Sequence, residues 1–156
     1  MNTAPSDGPG LEIRRHLPAS PDRVWRAWTD PDEVRRWSGP HGFTVTDYRA
    51  DARVGGTWRL VMTSAEWGEM AQGGVFRVIE PPRHLEYTFA WENADGTPDR
   101  EMLVTVTFAA SGDGTEMTFT QATFENVPQR DSHVSGWSDA FEKFAAYLEE
   151  TPMASG

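Results

Sequence analysis

Near the C-terminus, Val134, Trp137, Phe141, Phe144 and Leu148 recur at spacings of three and four residues. That period predicts one apolar stripe along a helix from about Gln129 to Glu150. Its other side carries Asp139, Glu142, Lys143 and Glu149, with Asp139 and Lys143 an oppositely charged pair four residues apart. A stripe this apolar must be buried against another layer.

The residues before it supply that layer. From Phe43 the hydrophobic period becomes two, as in strands. Phe43, Val45 and Asp47 alternate with Thr44 and Thr46. Trp58, Leu60 and Met62 share a face after the turn at Gly55-Gly56. A loop is expected near Glu66 to Met70, then a strand from Gly74 to Ile79 that stops at Pro81-Pro82. Leu85, Tyr87, Phe89 and Trp91 give the cleanest alternation. After turn residues at Asn93 to Gly96, Leu103–Phe108 and Glu116–Phe124 read as a hairpin joined at Ser111-Gly112-Asp113-Gly114.

The segment before Phe43 contains a first strand, Leu11 to Leu17, and two short helices. Ser20-Pro21 and Asp30-Pro31 each pair an N-capping residue with a proline suited to the first helical position. The first helix places Val24, Trp25 and Trp28 on one side and the second carries Val34 and Trp37. Ser38-Gly39-Pro40 ends the second, because proline cannot continue a helix. Consecutive strands with short turns pair antiparallel, and such a sheet buries one face. The order therefore predicts an α+β domain: a curved antiparallel sheet of about six to seven strands around one long C-terminal helix.

Composition narrows the function. The chain has 156 residues, enough for one domain with a real core, and seven of them are tryptophan. A formal net charge of −10 with a single lysine, Lys143, argues against nucleic acid and anionic membrane surfaces as partners. The absence of cysteine excludes disulfides and thiolate chemistry. No apolar run reaches a membrane span, and the polar residues 1–10 lack the apolar stretch of a signal peptide. The expected organisation is a flexible leader at 1–10, one domain at 11–150 and a flexible tail at 151–156, in a cytoplasmic protein.

Four segments in order resemble a known family. Pro18 to Trp37 (PASPDRVWRAWTDPDEVRRW), Val54 to Met62 (VGGTWRLVM), Val78 to Phe89 (VIEPPRHLEYTF) and Gly136 to Glu150 (GWSDAFEKFAAYLEE) are similar to domains related to the activator of Hsp90 ATPase. That family lies within the helix-grip superfamily (SRPBCC), with START domains and the Bet v 1 allergens. The resemblance implies a helix-grip fold, often with an apolar cavity between sheet and last helix. It admits binding, co-chaperone and cyclase roles, since a fold does not fix a function.

Candidate chemistry is sparse. His16, His41, His84 and His133 have no metal-binding spacing, so no metal or other cofactor is expected. His133 opens the last helix, where a cavity mouth would lie. Ser138, within Gly136-Trp137-Ser138-Asp139-Ala140, sits inside a helix rather than on a nucleophile elbow. Glu66, Glu69, Glu92, Asp99 and Glu101 read as solvated charges. The aromatic residues are the strongest feature. The expected cavity wall is Trp58, Leu60, Met62, Tyr87, Phe89, Trp91, Phe119, His133, Trp137 and Phe141, and its expected occupant is a small apolar or aromatic ligand. The alternatives are a protein-interaction module that binds a chaperone or other protein, and a cyclase or hydrolase using the same cavity.

Overall fold

A computed structural model of the protein describes residues 9–150; the expected tail, and the expected leader up to residue 8, lie outside that range. The elements run β1 (Leu11–Leu17), α1 (Pro21–Thr29), α2 (Pro31–Trp37), β2 (Thr44–Ala50), β3 (Thr57–Ser64), β4 (Gly68–Glu80), β5 (His84–Trp91), β6 (Met102–Ser111), β7 (Gly114–Ala122) and α3 (Val127–Glu150). The strands form one seven-stranded antiparallel sheet in the order β1-β7-β6-β5-β4-β3-β2. It curves around α3, as the strand pattern and the helical stripe predict. Among the described residues, no helix is long and apolar enough to cross a membrane.

The two short helices start where capping chemistry places them. The Ser20 side chain accepts from the Arg23 N–H and the Asp30 side chain from the Asp32 N–H, with Pro21 and Pro31 opening each first turn. Helix α3 begins earlier than its stripe suggests. Asn126 Oδ1 accepts the Gln129 N–H at 2.8 Å, and Gln129 Oε1 accepts the Glu125 N–H at 2.8 Å. This reciprocal cap adds a turn containing Pro128, which costs little where the N–H groups have no helical partner.

A register shift in β2 and an extension of β4 shape the sheet. In β2 the register shifts between Val45 and Asp47, so that Val45 stands opposite Met62 and Tyr48 opposite Leu60. The extra residue reverses the phase of the strand and turns Tyr48 to the inner face. Strand β4 is longer than the Gly74–Ile79 segment expected, because Gly68 to Gly73 also pair with β3. At Gly74 a Cβ would lie 1.8 Å from the Thr88 carbonyl oxygen, so only glycine permits this approach of β4 to β5. Trp58 pairs with Gly74, and its indole N–H reaches past it to the same Thr88 oxygen at 3.0 Å.

The core lies between α3, the short helices and the β1-β7-β6 part of the sheet. Trp37 stacks on Phe144 with centroids 4.2 Å apart, and Trp28 packs against Trp37, Phe119 and Phe141. Ala140, Phe141, Phe144 and Leu148 of α3 are buried, whereas Val134 and Trp137 are half-buried. A polar knot joins the three helices beside this core. Arg23 Nη1 lies 2.6 Å from Glu33 Oε1, the Tyr147 hydroxyl donates to the same oxygen at 2.7 Å, and Arg26 Nε lies 3.3 Å from Glu33 Oε2.

Candidate functional site

The β2–β5 half of the sheet and the first half of α3 do not close on one another. They enclose a cavity of about 350 Å³. One cross-strand row defines its floor. Tyr48 of β2 stands opposite Leu60 of β3, Leu60 opposite Gln72 of β4, and Gln72 opposite Trp91 of β5. All four line the cavity, and the row continues onto α3 through the Trp91 Nε1–H, which donates to His133 Nε2 at 2.9 Å.

Of the residues expected in the wall, Trp58, Leu60 and Met62 of β3, Tyr87, Phe89 and Trp91 of β5, and His133 and Trp137 of α3 line this cavity. Phe119 and Phe141 do not. Trp137 lies between them and the cavity side, with its ring 4.5 Å from Phe119 and 5.5 Å from Phe141. Both are fully buried core residues, in contact at 5.2 Å. The expectation that they form the wall is corrected: alternation gives a side chain's face but not its depth behind a larger neighbour. Tyr48, Gln72, Met70 and Trp67 join the lining from β2, β4 and the turn before it, and Trp28 and Trp37 from the short helices.

Among the described residues, the lining contains no Asp, Glu, Lys or Arg. Glu92 instead forms a bidentate surface pair with Arg59 at 2.6 and 2.9 Å, which holds its carboxyl below the usual range. His133 is held neutral by its partners. Trp91 can only donate, so Nε2 must accept, and the Gln129 carbonyl 3.0 Å from Nδ1 can only accept, so Nδ1 carries the proton. Burial lowers the His133 pKa, an effect partly opposed by the bond to Gln129. Burial also pushes the Tyr48 phenol up to about 12 and raises that of Tyr87, whose oxygen accepts a hydrogen bond from the Trp28 indole. Both phenols are therefore uncharged at neutral pH.

The rim is marked by the exposed lining residues Trp67, in the β3–β4 turn, and Ser132, in the first turns of α3. The loop from Ser38 to Phe43 forms another side, and α3 holds it from several points. Lys143 Nζ donates to the Ser38 carbonyl at 3.1 Å, the His41 N–H to Asp139 Oδ2 at 3.3 Å, and His41 Nε2 lies 3.2 Å from Glu142 Oε1. Among the described residues, His41, Asp139 and Glu142 are the one group of three with potential metal-ligating atoms all within 4.8 Å. The hydrogen bonds among these groups account for their proximity.

No curated protein sequence matches the chain. Solved structures do. A protein from Chromobacterium violaceum is 28% identical, with a TM-score of 0.82 over 90% of this chain and 96% of that one. A protein from Arthrobacter aurescens is 28% identical, with a TM-score of 0.79 over 90% of this chain and 86% of that one. An AHSA1 protein from Silicibacter pomeroyi, at 22% identity, shares the fold with a TM-score of 0.82 over 91% and 99% of the two chains. Residues 18–149, from the loop before α1 almost to the end of α3, match the activator of Hsp90 ATPase homolog 1-like proteins, and the chain belongs to that family.

Proposed function

We propose that the protein binds a small apolar or aromatic ligand in the cavity between β2–β5 and α3. The observation that carries this reading is the 350 Å³ cavity itself, walled by aromatic and aliphatic side chains and within the size range of small-molecule pockets. A cyclase or hydrolase would need a group able to move a proton at the ligand. Among the described residues no carboxylate lines the cavity, both nitrogens of His133 are engaged, and both phenols hold their protons. Binding without chemistry suits this lining better. Family membership also admits a co-chaperone role, which the cavity neither requires nor opposes.

A generic probe that buries about 200 Å² gains about 5 kcal/mol at roughly 25 cal/mol per Å² before association costs. High-micromolar to millimolar affinity follows for a non-cognate compound. The test is a fluorescence titration with uncharged N-phenyl-1-naphthylamine. Its emission is expected to rise saturably for the native protein and much less for Leu60→Trp, which narrows the cavity. A response that does not saturate, or that the folded variant leaves unchanged, overturns the reading in favour of a protein-interaction module.

A further inference from the structure

The floor of the cavity carries an unused pair of hydrogen-bonding groups. Gln72 is 8% exposed, and its side-chain amide has no hydrogen-bond partner among the described residues. It is not sealed in protein, because no fully enclosed side-chain nitrogen or oxygen among those residues lacks a partner. An amide turned into a largely apolar cavity normally bonds to something, to water when no ligand is present. The two indoles nearby on the neighbouring strands already have partners. Trp91, beside it in the row, donates to His133, and the Trp58 indole donates to the Thr88 carbonyl. On the other side of Gln72, beyond Leu60, stands Tyr48, a buried residue whose hydroxyl also has no hydrogen-bond partner among the described residues and is likewise not sealed in protein. Neighbouring strands are about 4.8 Å apart, so Gln72 and Tyr48 leave the sheet about 10 Å from each other with the apolar Leu60 between them. Both are long enough to reach an atom lying over Leu60.

The remaining wall limits the rest of the ligand. A carboxylate would lose its hydration and meet no Lys or Arg among the described lining residues, in a protein whose net charge is already −10. An ammonium would meet ring faces but, among the described residues, no carboxylate.

Building on the binding reading, we infer that the cognate ligand is an uncharged, largely aromatic molecule with a carbonyl or hydroxyl oxygen. That oxygen lies over Leu60, hydrogen-bonded to Gln72 and Tyr48. The amide and the phenol each donate and accept, so either kind of oxygen satisfies them. This site sets ligand choice: the aromatic wall supplies contact area, and the Gln72–Tyr48 pair rejects compounds that leave it unsatisfied.

Four matched probes test this: 2-acetylnaphthalene, 2-ethylnaphthalene, 2-naphthoate and 2-naphthylmethylammonium. Binding is followed in the full-length protein through the side-chain amide and backbone resonances in ¹H–¹⁵N correlation spectra. The ketone is expected to bind about tenfold more tightly than the hydrocarbon, the scale of one net hydrogen bond, and to move the Gln72 side-chain amide signals. Neither ion is expected to saturate. Gln72→Leu should reduce the ketone-to-hydrocarbon ratio severalfold while leaving hydrocarbon binding intact, and the double variant Gln72→Leu/Tyr48→Phe should bring it to about one. Tyr48→Phe should reduce the ratio in part, and serves alone if Gln72→Leu does not fold. Equal affinity for ketone and hydrocarbon in the native protein overturns the oxygen site but leaves the binding reading standing. An ion that binds as tightly as the ketone overturns the requirement for an uncharged ligand. Failure of all four, together with N-phenyl-1-naphthylamine, removes the binding reading and this inference with it.

Discussion

Trp91 and His133 meet nitrogen to nitrogen at 2.9 Å, and the bond exists only while the imidazole is neutral. Protonated Nε2 has no lone pair to accept the indole hydrogen. Burial favours the same neutral form, lowering the His133 pKa from its ordinary value of 6.5. The unfolded chain therefore takes up the proton first as pH falls. Stability from this group is fully present above about pH 6.5 and declines below it, levelling off once the lower folded-state pKa is passed. His133→Gln keeps an acceptor for Trp91 and a donor for Gln129 without titrating. Denaturant melts from pH 8 to pH 4.5 should show the native protein losing stability relative to this variant below about pH 6.5. A constant difference would mean that the imidazole is not held neutral.

Gly136 lies in the middle of α3 at the cavity rim, where a Cβ would sit 3.4 Å from Pro40 Cγ, an ordinary contact. Its helical position gives no use for glycine's freedom. Gly136→Ala should stabilise the fold by roughly 0.5–1 kcal/mol through helix propensity. Thermal and urea unfolding both measure this. A loss of stability would show that the α3–Pro40 contact cannot yield.

Phe141 is fully buried against Trp28, Phe119 and Trp137. Phe141→Ala should cost about 3–5 kcal/mol, as for other aromatic truncations in cores. A cost below about 1 kcal/mol in urea melts would be incompatible with the docking of α3 described above.

The side chains of Arg23 and Glu33 are 7% and 13% exposed, and their pairing secures α1 to α2 while Tyr147 brings in α3. Removing the carboxylate takes the Glu33 charge away from a largely buried guanidinium. Glu33→Ala should cost about 3 kcal/mol, and Glu33→Gln less, because the amide still accepts from Tyr147. Equal melting of both variants and the native protein would show that the pair contributes nothing net.

The legible parts of this fold are those where one local rule acts alone. Ser20-Pro21 and Asp30-Pro31 mark helix starts because cap and proline lie side by side in sequence. Phe141 and Phe144 are legible through the helical period. Tyr48 is not, because the shift between Val45 and Asp47 reverses the strand's phase, and nothing in Thr44-Val45-Thr46-Asp47 marks the bulge. Gln72 stands before two glycines in a stretch poor in strand-forming residues, yet the pairing of β4 with both neighbours makes it floor of the cavity. Trp67 reads as part of a turn, and only the position of that turn at the mouth of the cavity brings it to the rim. The distinction between Trp137 at the wall and Phe119 behind it depends on which ring fills the nearer space, which no period encodes.

Helix α3 has 24 residues and spans about 36 Å, and its two halves rest on different supports. From Ala140 onward it is wedged into the aromatic core and held by the knot through Tyr147. Before Ala140 it has the cavity beneath it, with Trp137 tied to Gln121 at 2.8 Å and His133 tied to Trp91. The front therefore rests on fewer buried side chains than the rear, and its first turns are expected to open locally at a cost far below that of global unfolding. Amide exchange should divide the helix accordingly, with protons near Phe144 released only when the whole domain opens and those near His133 released sooner. Passage into the cavity would then be timed by the front half, while the lifetime of the folded chain is set by the rear.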